Sequence, residues 1–268
     1  MIGQYDVLRR LNSLIENNTL SRFLIMIGAN GSEKNSIAPY IAERLDAICV
    51  EVDDCKVETI REICENAYKV SALTIYNIKD ADQMSLQAKN SLLKITEEPP
   101  NKAYFVMTLE DYNNTLPTIR SRADMFFMQP YTSEQLTNYG KKQYGYNQEE
   151  LDIVIKICQT PGDVDLLASY NTKDFYAFIE KTVDNITMVS GSNVFKMAKY
   201  IKFKDTDEGY DLQMFWRAFC VVCYNRKFYL PVKITSRYSA LLYSKSINKQ
   251  MLFDMWILEI REKWLEVE

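Results

Sequence analysis

The chain has 268 residues, of which 47% are hydrophobic, so it can form one large domain or two to three small ones with real cores. Its formal net charge of −4 argues against a protein that wraps nucleic acid by itself, because that task needs a basic surface. No apolar stretch reaches the ~18 residues that cross a bilayer, and the N-terminus does not resemble a signal peptide, so we expect a cytoplasmic protein without membrane contact.

The first half of the chain alternates short apolar runs with amphipathic stretches, which is typical of a parallel sheet covered by helices. In chain order the patterns predict a helix at 5–16, a strand at 23–27, a helix at 34–45, a strand at 48–52, a helix at 56–69, a strand at 73–78, a helix at 86–97, and strands at 103–108 and 125–128. The helix at 86–97 should stop before Pro99 and Pro100, because proline lacks the N–H group and clashes with the preceding turn.

After Gln129 and Pro130 the pattern becomes helical to the end of the chain. Thr132 or Ser133 would cap the first of these helices, and breaks are expected at 161–162 and near 170–171. Further helices are predicted at 174–187, 193–201, 210–226 and 249–265. We therefore expect an α/β domain at 1–129, a small helical domain at 130–171 and a helical C-terminal domain at 172–268.

The loop from Gly28 to Asn35 has the outline of a triphosphate-binding loop between a strand and a helix. Gly28, Gly31 and Lys34 match the G-x-x-x-x-G-K-[ST] pattern in part, but Glu33 stands at the second glycine and Asn35 at the hydroxyl that ligates magnesium. A carboxylate ~5 Å from a phosphate charge repels it by ~3 kcal/mol at an effective dielectric constant of about 20. Glu33 should therefore oppose nucleotide binding unless it swings into solvent.

Two further segments carry a family resemblance. The stretch D-A-D-Q-M-S-L-Q-A-K-N-S-L-L-K-I-T-E-E-P-P at 80–100 resembles the segment of bacterial clamp-loader subunits that closes in L-L-K-x-x-E-E-P-P. About twenty residues on, L-P-T-I-R-S-R at 116–122 is similar to the T-I-x-S-R-C signature of that family. The resemblance to the AAA+ clamp-loader subunits of bacterial DNA polymerase III implies a RecA-like domain, a small helical lid domain and a helical collar domain that joins a ring.

The departures from the family pattern indicate which subunit the chain resembles. In this family the tau/gamma subunits hydrolyse ATP, whereas the delta-prime subunit is typically inactive and lends an arginine to its neighbour. The resemblance implies two acids after the strand at 73–78, but the chain has Lys79 and Asp80. A one-residue slide would place Asp80 at the metal, yet it would turn the side chains of the strand to the wrong faces. Asp165 stands near the position of an arginine that contacts phosphate in ATP-using relatives.

Glu33, Lys79 and Asp165 together predict a delta-prime-like subunit that neither hydrolyses ATP nor binds it tightly, while neighbouring subunits use ATP and magnesium. Lys34 would then be a remnant or a structural ion-pair partner. The resemblance implies that Arg122, which follows Ser121, acts in trans as an arginine finger on a neighbour's phosphate. The alternative is that Arg120 and Arg122 are solvated charges on a loop.

The resemblance also implies the partners of the chain. They are the tau/gamma ATPase subunits and the delta subunit, with the sliding clamp and primer-template DNA engaged through the assembly. Two rival functions stay open. The chain could be a tau/gamma-type ATPase that uses Lys34 with Asp80 or Asp82 at the metal, or a bare DNA-binding module, against which the acidic balance counts.

Histidine and cysteine usage argues against a metal centre. The sequence has no histidine, and Cys49, Cys55 and Cys64 cannot complete the four-cysteine zinc module that many family members carry, so we predict no zinc. Cys220 and Cys223 form a C-x-x-C in an apolar helical pattern, where buried thiols are favoured over a redox or metal role.

Aromatic residues in the C-terminal region could form a platform for nucleic-acid bases. Their helical spacing instead favours packing in a core and at subunit contacts, since no basic strand accompanies them. They are Phe215, Trp216, Phe219, Phe253, Trp256 and Trp264.

Overall fold

A computed structural model describes residues 2–188, 195–203, 208–242 and 247–265. The chain divides into two compact units, the first comprising Met1–Gln135 with Thr160–Gly162 and the second Leu136–Gln159 with Asp163–Glu268. The division into three domains at 1–129, 130–171 and 172–268 stays a prediction.

The first unit contains a five-stranded parallel sheet. Its strands are β1 (Phe23–Ile27), β2 (Ile48–Val52), β3 (Thr74–Ile78), β4 (Ala103–Leu109) and β5 (Asp124–Phe127). They lie in the order β2-β3-β4-β1-β5, and β1 and β3 are buried along their whole length. Because all the strands are parallel, the segments that follow β1, β3 and β4 meet at one edge of the sheet.

Helices cover both faces of this sheet. They are α1 (Tyr5–Glu16), α2 (Ile37–Leu45), α3 (Val57–Asn66), α4 (Leu86–Ser91), α5 (Leu93–Glu97) and α6 (Pro117–Arg120), with short 3-10 helices at Lys34–Ser36, Ala81–Gln83 and Tyr112–Asn114. Alternate residues of β1 enter two separate cores, with Phe23, Ile25 and Ile27 on one face and Leu24 and Met26 on the other. The period-2 alternation of strand side chains fixes this division.

The second unit is mainly helical. Its helices, of which α7 and α9 begin in residues of the first unit, are α7 (Ser133–Tyr144), α8 (Gln148–Ile157), α9 (Pro161–Ser169), α10 (Thr172–Met188), α11 (Leu212–Asn225), α12 (Tyr229–Leu241) and α13 (Lys249–Leu265). A 3-10 helix at Phe195–Tyr200 precedes two short paired strands, β6 (Ile201–Lys202) and β7 (Tyr210–Asp211). None of the helices in the described part of the chain is long and apolar enough to cross a membrane.

Aromatic side chains fill the core between α11 and α13, as the sequence predicts. Phe215, Trp216, Phe219, Phe253 and Trp256 are fully buried. The Trp256 indole donates to the Thr235 hydroxyl at 2.9 Å, so its one polar group is satisfied inside the core. The prediction of core packing is confirmed for these five residues, whereas the side chain of Trp264 lies outside the described residues.

The fold class predicted from the sequence, a parallel α/β domain followed by a helical region, is confirmed, but several element boundaries differ. The helix expected at 86–97 is interrupted at Leu92, and the helix expected at 34–45 begins with a 3-10 turn. Residues 201–202 and 210–211 are paired strands and not helix, while residues 193–194 lie outside the described residues. Helix α12 was not predicted, although Pro231 lies in its first turn, where proline is tolerated.

The cysteine thiols of the described residues are all free. Burial raises the pKa of Cys223 to about 12 and that of Cys220 to about 11. Both side chains therefore stay protonated at neutral pH, which fits the prediction of unreactive thiols in a core helix.

Candidate functional site

The loop after β1 has the backbone path of a phosphate-binding loop. The Gly28 N–H group donates to the carbonyl of Leu109 at 3.0 Å, and the Ser32 N–H group donates to that of Ala29 at 3.2 Å. Gly28 has no room for a side chain, because a Cβ atom there would lie 2.7 Å from Cβ of Met128. The chain then enters the 3-10 turn at Lys34–Ser36 and continues into α2, so the strand-loop-helix context predicted for this segment is present.

Glu33 adopts the left-handed conformation, with φ of 61°, at the position where the loop pattern has glycine. Its carboxylate accepts a hydrogen bond from the Ile2 N–H group at 2.7 Å and lies 3.4 Å from the Tyr131 hydroxyl. The Glu33 side chain therefore does not swing into solvent, which is the arrangement that the sequence analysis named as compatible with nucleotide binding. It binds the N-terminal segment instead, and that segment was not identified from the sequence.

Gln4 fixes the N-terminal segment in place. Its side chain donates to the Gln129 carbonyl at 2.9 Å and accepts from the Gln129 N–H group at 2.7 Å, and the residue is buried. These paired bonds join residues 125 positions apart, which is why no local pattern in the sequence revealed them. Ile2 and Gln4 together hold the chain start against the end of the loop that Glu33 occupies.

A second segment packs directly on the loop at Gly31. The Gly162 N–H group donates to the Gly31 carbonyl at 3.1 Å. A Cβ atom on Gly31 would lie 2.7 Å from Oγ1 of Thr160 and 2.8 Å from Cα of Gly162. Thr160–Gly162 belongs to the first unit, and this contact requires glycine on both sides.

Lys34 is turned onto its own loop. The residue is only 2% exposed, and its ammonium group donates to the Ala29 carbonyl at 3.2 Å. Burial lowers the pKa of Lys34, and the carboxylates of Glu110, Asp80 and Asp82 partly oppose that shift. Lys34 therefore has a backbone partner, and no ion pair of this residue lies within the described ranges; of the two expected roles, a remnant or a structural ion-pair partner, the ion pair is not seen there.

The carboxylates near Lys34 serve the chain itself. Asp82 accepts from the N–H groups of Glu110 at 2.6 Å and Asp111 at 3.1 Å, so it organises the segment after β4. Burial raises the pKa of Glu110, an effect that Lys34 opposes. Asp80 has left-handed backbone, with φ of 50°, and its N–H group donates to Thr108. A triphosphate at Lys34 would thus meet three carboxylates of this chain.

Lys79 pairs with acids that the sequence analysis did not identify. Its ammonium group lies 2.9 Å from Oδ1 of Asp53 and 3.0 Å from Oε2 of Glu51, on and beside the edge strand β2. Hydrogen bonds to Asp53 and then Glu51 raise the pKa of Lys79, so the charge is permanent at neutral pH. Buried Asn77 donates to the same Glu51 carboxylate at 2.9 Å and to the carbonyl of Asn35 at 3.0 Å.

Arg122 and Ser121 lie on the surface, just after the short helix α6. The Arg122 guanidinium is 37% exposed, donates to the Thr118 carbonyl at 2.8 Å and forms an ion pair with Glu97 at 3.0 Å. The Ser121 hydroxyl also donates to Thr118, at 3.1 Å. Arg120 lies differently, because its guanidinium stacks 4.1 Å above the Tyr112 ring.

Asp165 makes its contacts inside the second unit. The hydroxyl groups of Tyr139 and Tyr144 both donate to its Oδ1 atom at 2.7 Å. Burial and then the hydrogen bond to Asp165 raise the pKa of Tyr144 to about 12. These contacts join α7 to α9, so Asp165 stabilises the packing of two helices.

The residues at the loop fit a nucleotide poorly. Lys34 contacts Ala29, the hydroxyl position is Asn35, and carboxylates surround the ammonium group. No group of three or more histidine, cysteine, aspartate or glutamate residues is placed to hold a metal ion within the ranges that the structure describes. Gly28, Gly31 and Lys34 thus lie in a strand-loop-helix segment, with Glu33 and Asn35 at the positions where the phosphate-loop pattern has glycine and a hydroxyl residue.

Comparison with known proteins gives matches to subunits of DNA polymerase III. The family described as "DNA polymerase III, delta subunit" matches residues 46–132. DNA polymerase III subunit gamma of Buchnera aphidicola is 27% identical over 183 residues, covering 56% of this chain and 50% of that protein. The gamma/tau subunit of Mycoplasma genitalium is 26% identical over 190 residues, or 58% of this chain and 32% of that one. The matches support a clamp-loader AAA+ family for this chain.

The chain spans half or less of the length of these curated relatives. Among solved structures, a DNA polymerase III gamma-subunit-related protein of Thermotoga maritima has a TM-score of 0.53 at 17% identity, covering 94% of this chain and 98% of that one. The RuvB branch-migration motor of the same organism has a TM-score of 0.52 at 14% identity, covering 90% and 76%. These likenesses establish an AAA+ type of fold.

Proposed function

We propose that this chain is a delta-prime-like subunit of the DNA polymerase III clamp loader, which does not hydrolyse ATP itself and lends Arg122 to the ATP site of a neighbouring subunit. The observation that carries the proposal is a contrast between two cations. Lys34 is buried and bound to its own loop, whereas Arg122 is exposed on the surface. Both cations have partners within this chain, but the Lys34 contact is buried, whereas the Arg122 contacts lie at the surface, where another protein can reach them.

The charges near Lys34 support the part of the proposal in which this chain does not hydrolyse ATP itself. ATP with magnesium would enter a site that already holds Glu110, Asp80 and Asp82 near the lysine. Each carboxylate within ~5 Å of a phosphate charge would oppose binding by ~3 kcal/mol at an effective dielectric constant of about 20. Lys79 is committed to Glu51 and Asp53, so no acid at that position is available for magnesium.

The chemistry of the guanidinium group supports the part of the proposal in which Arg122 acts on a neighbour's ATP. A planar, permanently charged group can spread its charge over the oxygens of a phosphoryl group in transfer, an effect of about 10³ to 10⁵ in rate in other systems. One nitrogen of the Arg122 guanidinium donates to the Thr118 carbonyl, and another pairs with the exposed carboxylate of Glu97. Neither contact buries the arginine side chain. ATP and magnesium would be bound by the neighbour, and this chain would supply only the arginine.

The proposed partners follow from the relatives, which are named as gamma, tau and gamma/tau subunits of DNA polymerase III. In this proposal the chain contacts tau/gamma ATPase subunits and the delta subunit in a hetero-oligomer, with the helical C-terminal domain in the collar. The sliding clamp and primer-template DNA are reached through the assembly, in the cytoplasm where replication takes place. The arginine loop is the part of the chain that meets the neighbour's nucleotide.

The test is reconstitution of the loader with Arg122→Ala, with Arg120→Ala as the matched control. Both changes remove one arginine at or just after the end of α6, but Arg120 stacks on Tyr112. We expect Arg122→Ala to lower ATP hydrolysis at the adjacent site on the order of 100-fold or more and to impair clamp loading. Arg120→Ala should leave both rates within about twofold of the wild type. Equal, near-normal rates for the two variants would refute the assigned role.

The second candidate is a tau/gamma-type ATPase with unusual ligands, which the names of the relatives and the retained Lys34 favour. Isothermal titration of the isolated chain with magnesium-ATP separates the two functions. The delta-prime-like proposal expects no saturable heat up to about 1 mM ATP, which corresponds to a binding free energy weaker than about −4 kcal/mol. Micromolar binding with measurable turnover would establish the second candidate.

A further inference from the structure

Glu97 forms an ion pair with Arg122, the arginine that the proposed function places at a neighbour's ATP site. Its Oε1 atom lies 3.0 Å from Nη2 of Arg122, while Nη1 of the same guanidinium donates to the Thr118 carbonyl at 2.8 Å. Both outer nitrogens of Arg122 are therefore held within this chain. An arginine that acts on a neighbour's phosphate must first exchange at least one of these contacts.

The backbone on both sides of the ion pair is well fixed. Glu97 is the last residue of α5, which Pro99 and Pro100 follow, and Ile95 of that helix is fully buried. On the other side, Pro117 begins α6 and Ile119 is buried in the same core as Ile95. The two charged groups are thus brought together by packed elements, and only their side chains need to move when the pair separates.

The pair is weak enough to be exchanged. The side chains are 37% exposed for Arg122 and 54% exposed for Glu97, and ion pairs of this kind shift an equilibrium by no more than about fivefold. Phosphate oxygens carry more charge than a carboxylate and accept two parallel bonds from the guanidinium fork. A polyphosphate presented at a subunit boundary would therefore displace Glu97, although the carboxylate would compete with it.

We propose that Glu97 is a positioning residue that holds Arg122 within this chain and competes with the neighbour's ATP for it. This inference rests on the proposed function, because it concerns the same arginine. With Glu97 in place, the arginine is released only when a more strongly charged acceptor arrives. Without it, only the Thr118 carbonyl holds Arg122 before the neighbour's nucleotide binds, and no carboxylate repels the incoming phosphate.

The test measures ATP hydrolysis by the reconstituted loader as a function of ATP concentration. Glu97→Gln keeps the size of the side chain and removes the charge, and Glu98→Gln is the matched control. Glu98 is the next residue and is exposed, but it forms no ion pair in the part of the chain that the structure describes. We expect Glu97→Gln to lower the apparent KM for ATP two- to fivefold, about the weight of an exposed ion pair, and to change kcat by less than twofold. Glu98→Gln should leave both constants unchanged.

A double variant separates this inference from a merely structural effect and from the proposed function. If Glu97 acts through Arg122, Glu97→Gln should have no effect when Arg122 is already alanine. An unchanged or raised KM for Glu97→Gln, or a lowered KM that persists with Arg122→Ala, would overturn the inference. If Arg122→Ala alone were normal, the proposed function itself would fail. Glu97→Ala should match Glu97→Gln, and thermal unfolding of each variant checks that the fold is retained.

Discussion

Lys34 stands at the lysine position of the phosphate-loop pattern, but its partner is a backbone carbonyl of the same loop. The ammonium group lies against the Ala29 carbonyl, and burial lowers its pKa. The negative charges of Glu110, Asp80 and Asp82 oppose this shift only in part. The residue identity alone therefore does not establish nucleotide binding.

The lowered pKa of Lys34 predicts a pH dependence of stability. The unfolded chain, with a pKa near 10.5, holds the lysine proton more tightly than the folded chain does. The stability of the wild type should therefore rise, relative to Lys34→Met, as pH increases from the lowered folded pKa to 10.5. Urea unfolding of both proteins between pH 7 and 10.5 measures this difference. Parallel stability curves would contradict the shift, because tyrosine and cysteine titrations are common to both proteins.

At the residue scale, the sequence indicated which positions depart from the family pattern but not what those side chains contact. Glu33 is indicated by its position in the loop pattern, and Lys79 and Arg122 by the resemblance to the clamp-loader family. Their partners, Ile2 for Glu33 and Glu97 for Arg122, lie 31 and 25 positions away in the chain. Contacts of this range depend on the packing of complete elements, so a motif cannot specify them.

At the element scale, the packing of Gly162 on Gly31 is a specific feature of the loop. A Cβ atom on Gly162 would lie 2.5 Å from Cα of Gly31, which the surrounding backbone cannot accommodate without moving. We expect Gly162→Ala to destabilise the protein by about 1–3 kcal/mol and to speed amide hydrogen exchange in residues 28–36.

Gly145→Ala is the control for Gly162→Ala. Gly145 has positive φ, at 66°, but nothing lies within 4 Å of its Cβ position, so only backbone strain of about 1 kcal/mol is expected. Hydrogen exchange in residues 28–36 should be unchanged in this variant. An equal effect of the two alanines on the loop would show that the Gly31 contact is not required.

Helix α13 depends on Trp256 for its place in the C-terminal core. The indole is fully buried and bonded to Thr235 of α12. Trp256→Ala should cost about 3–5 kcal/mol, since it leaves a large cavity and removes the hydrogen bond that the Thr235 hydroxyl accepts from the indole. Met255, the neighbouring residue, is 48% exposed, and Met255→Ala should change stability by less than about 1 kcal/mol. Urea unfolding compares the two, and a similar loss for both would place Trp256 outside the core.

Elements of both kinds have the bounds predicted from the sequence, including the helices at 5–16 and 249–265. The strands at 23–27 and 48–52 have the predicted bounds, because an apolar run between turn residues leaves few alternatives. The helix at 86–97 was only partly right, since helical periodicity does not reveal the interruption at Leu92. Helix α12 was missed because Pro231 is a helix breaker in the interior and acceptable in the first turn.

At the scale of the whole molecule, three charged residues at or near the loop after β1 are bound by other parts of the same chain. Glu33 binds the N-terminal segment, Lys79 binds the edge of the sheet, and Lys34 binds its own loop. These contacts stabilise the scaffold independently of nucleotide. In the proposed function this scaffold keeps Arg122 at the surface, paired with Glu97, until a neighbour's phosphate arrives.

ATP hydrolysis by the reconstituted loader, with this chain as wild type, as Lys34→Met or as Arg122→Ala, tests the central claim most directly. The account predicts that Lys34→Met hydrolyses ATP within about twofold of the wild type, because the chain's own loop takes no part. Arg122→Ala should lose hydrolysis at the adjacent site on the order of 100-fold or more. The opposite result, with turnover lost in Lys34→Met and normal in Arg122→Ala, would show that the chain consumes its own ATP and lends no arginine.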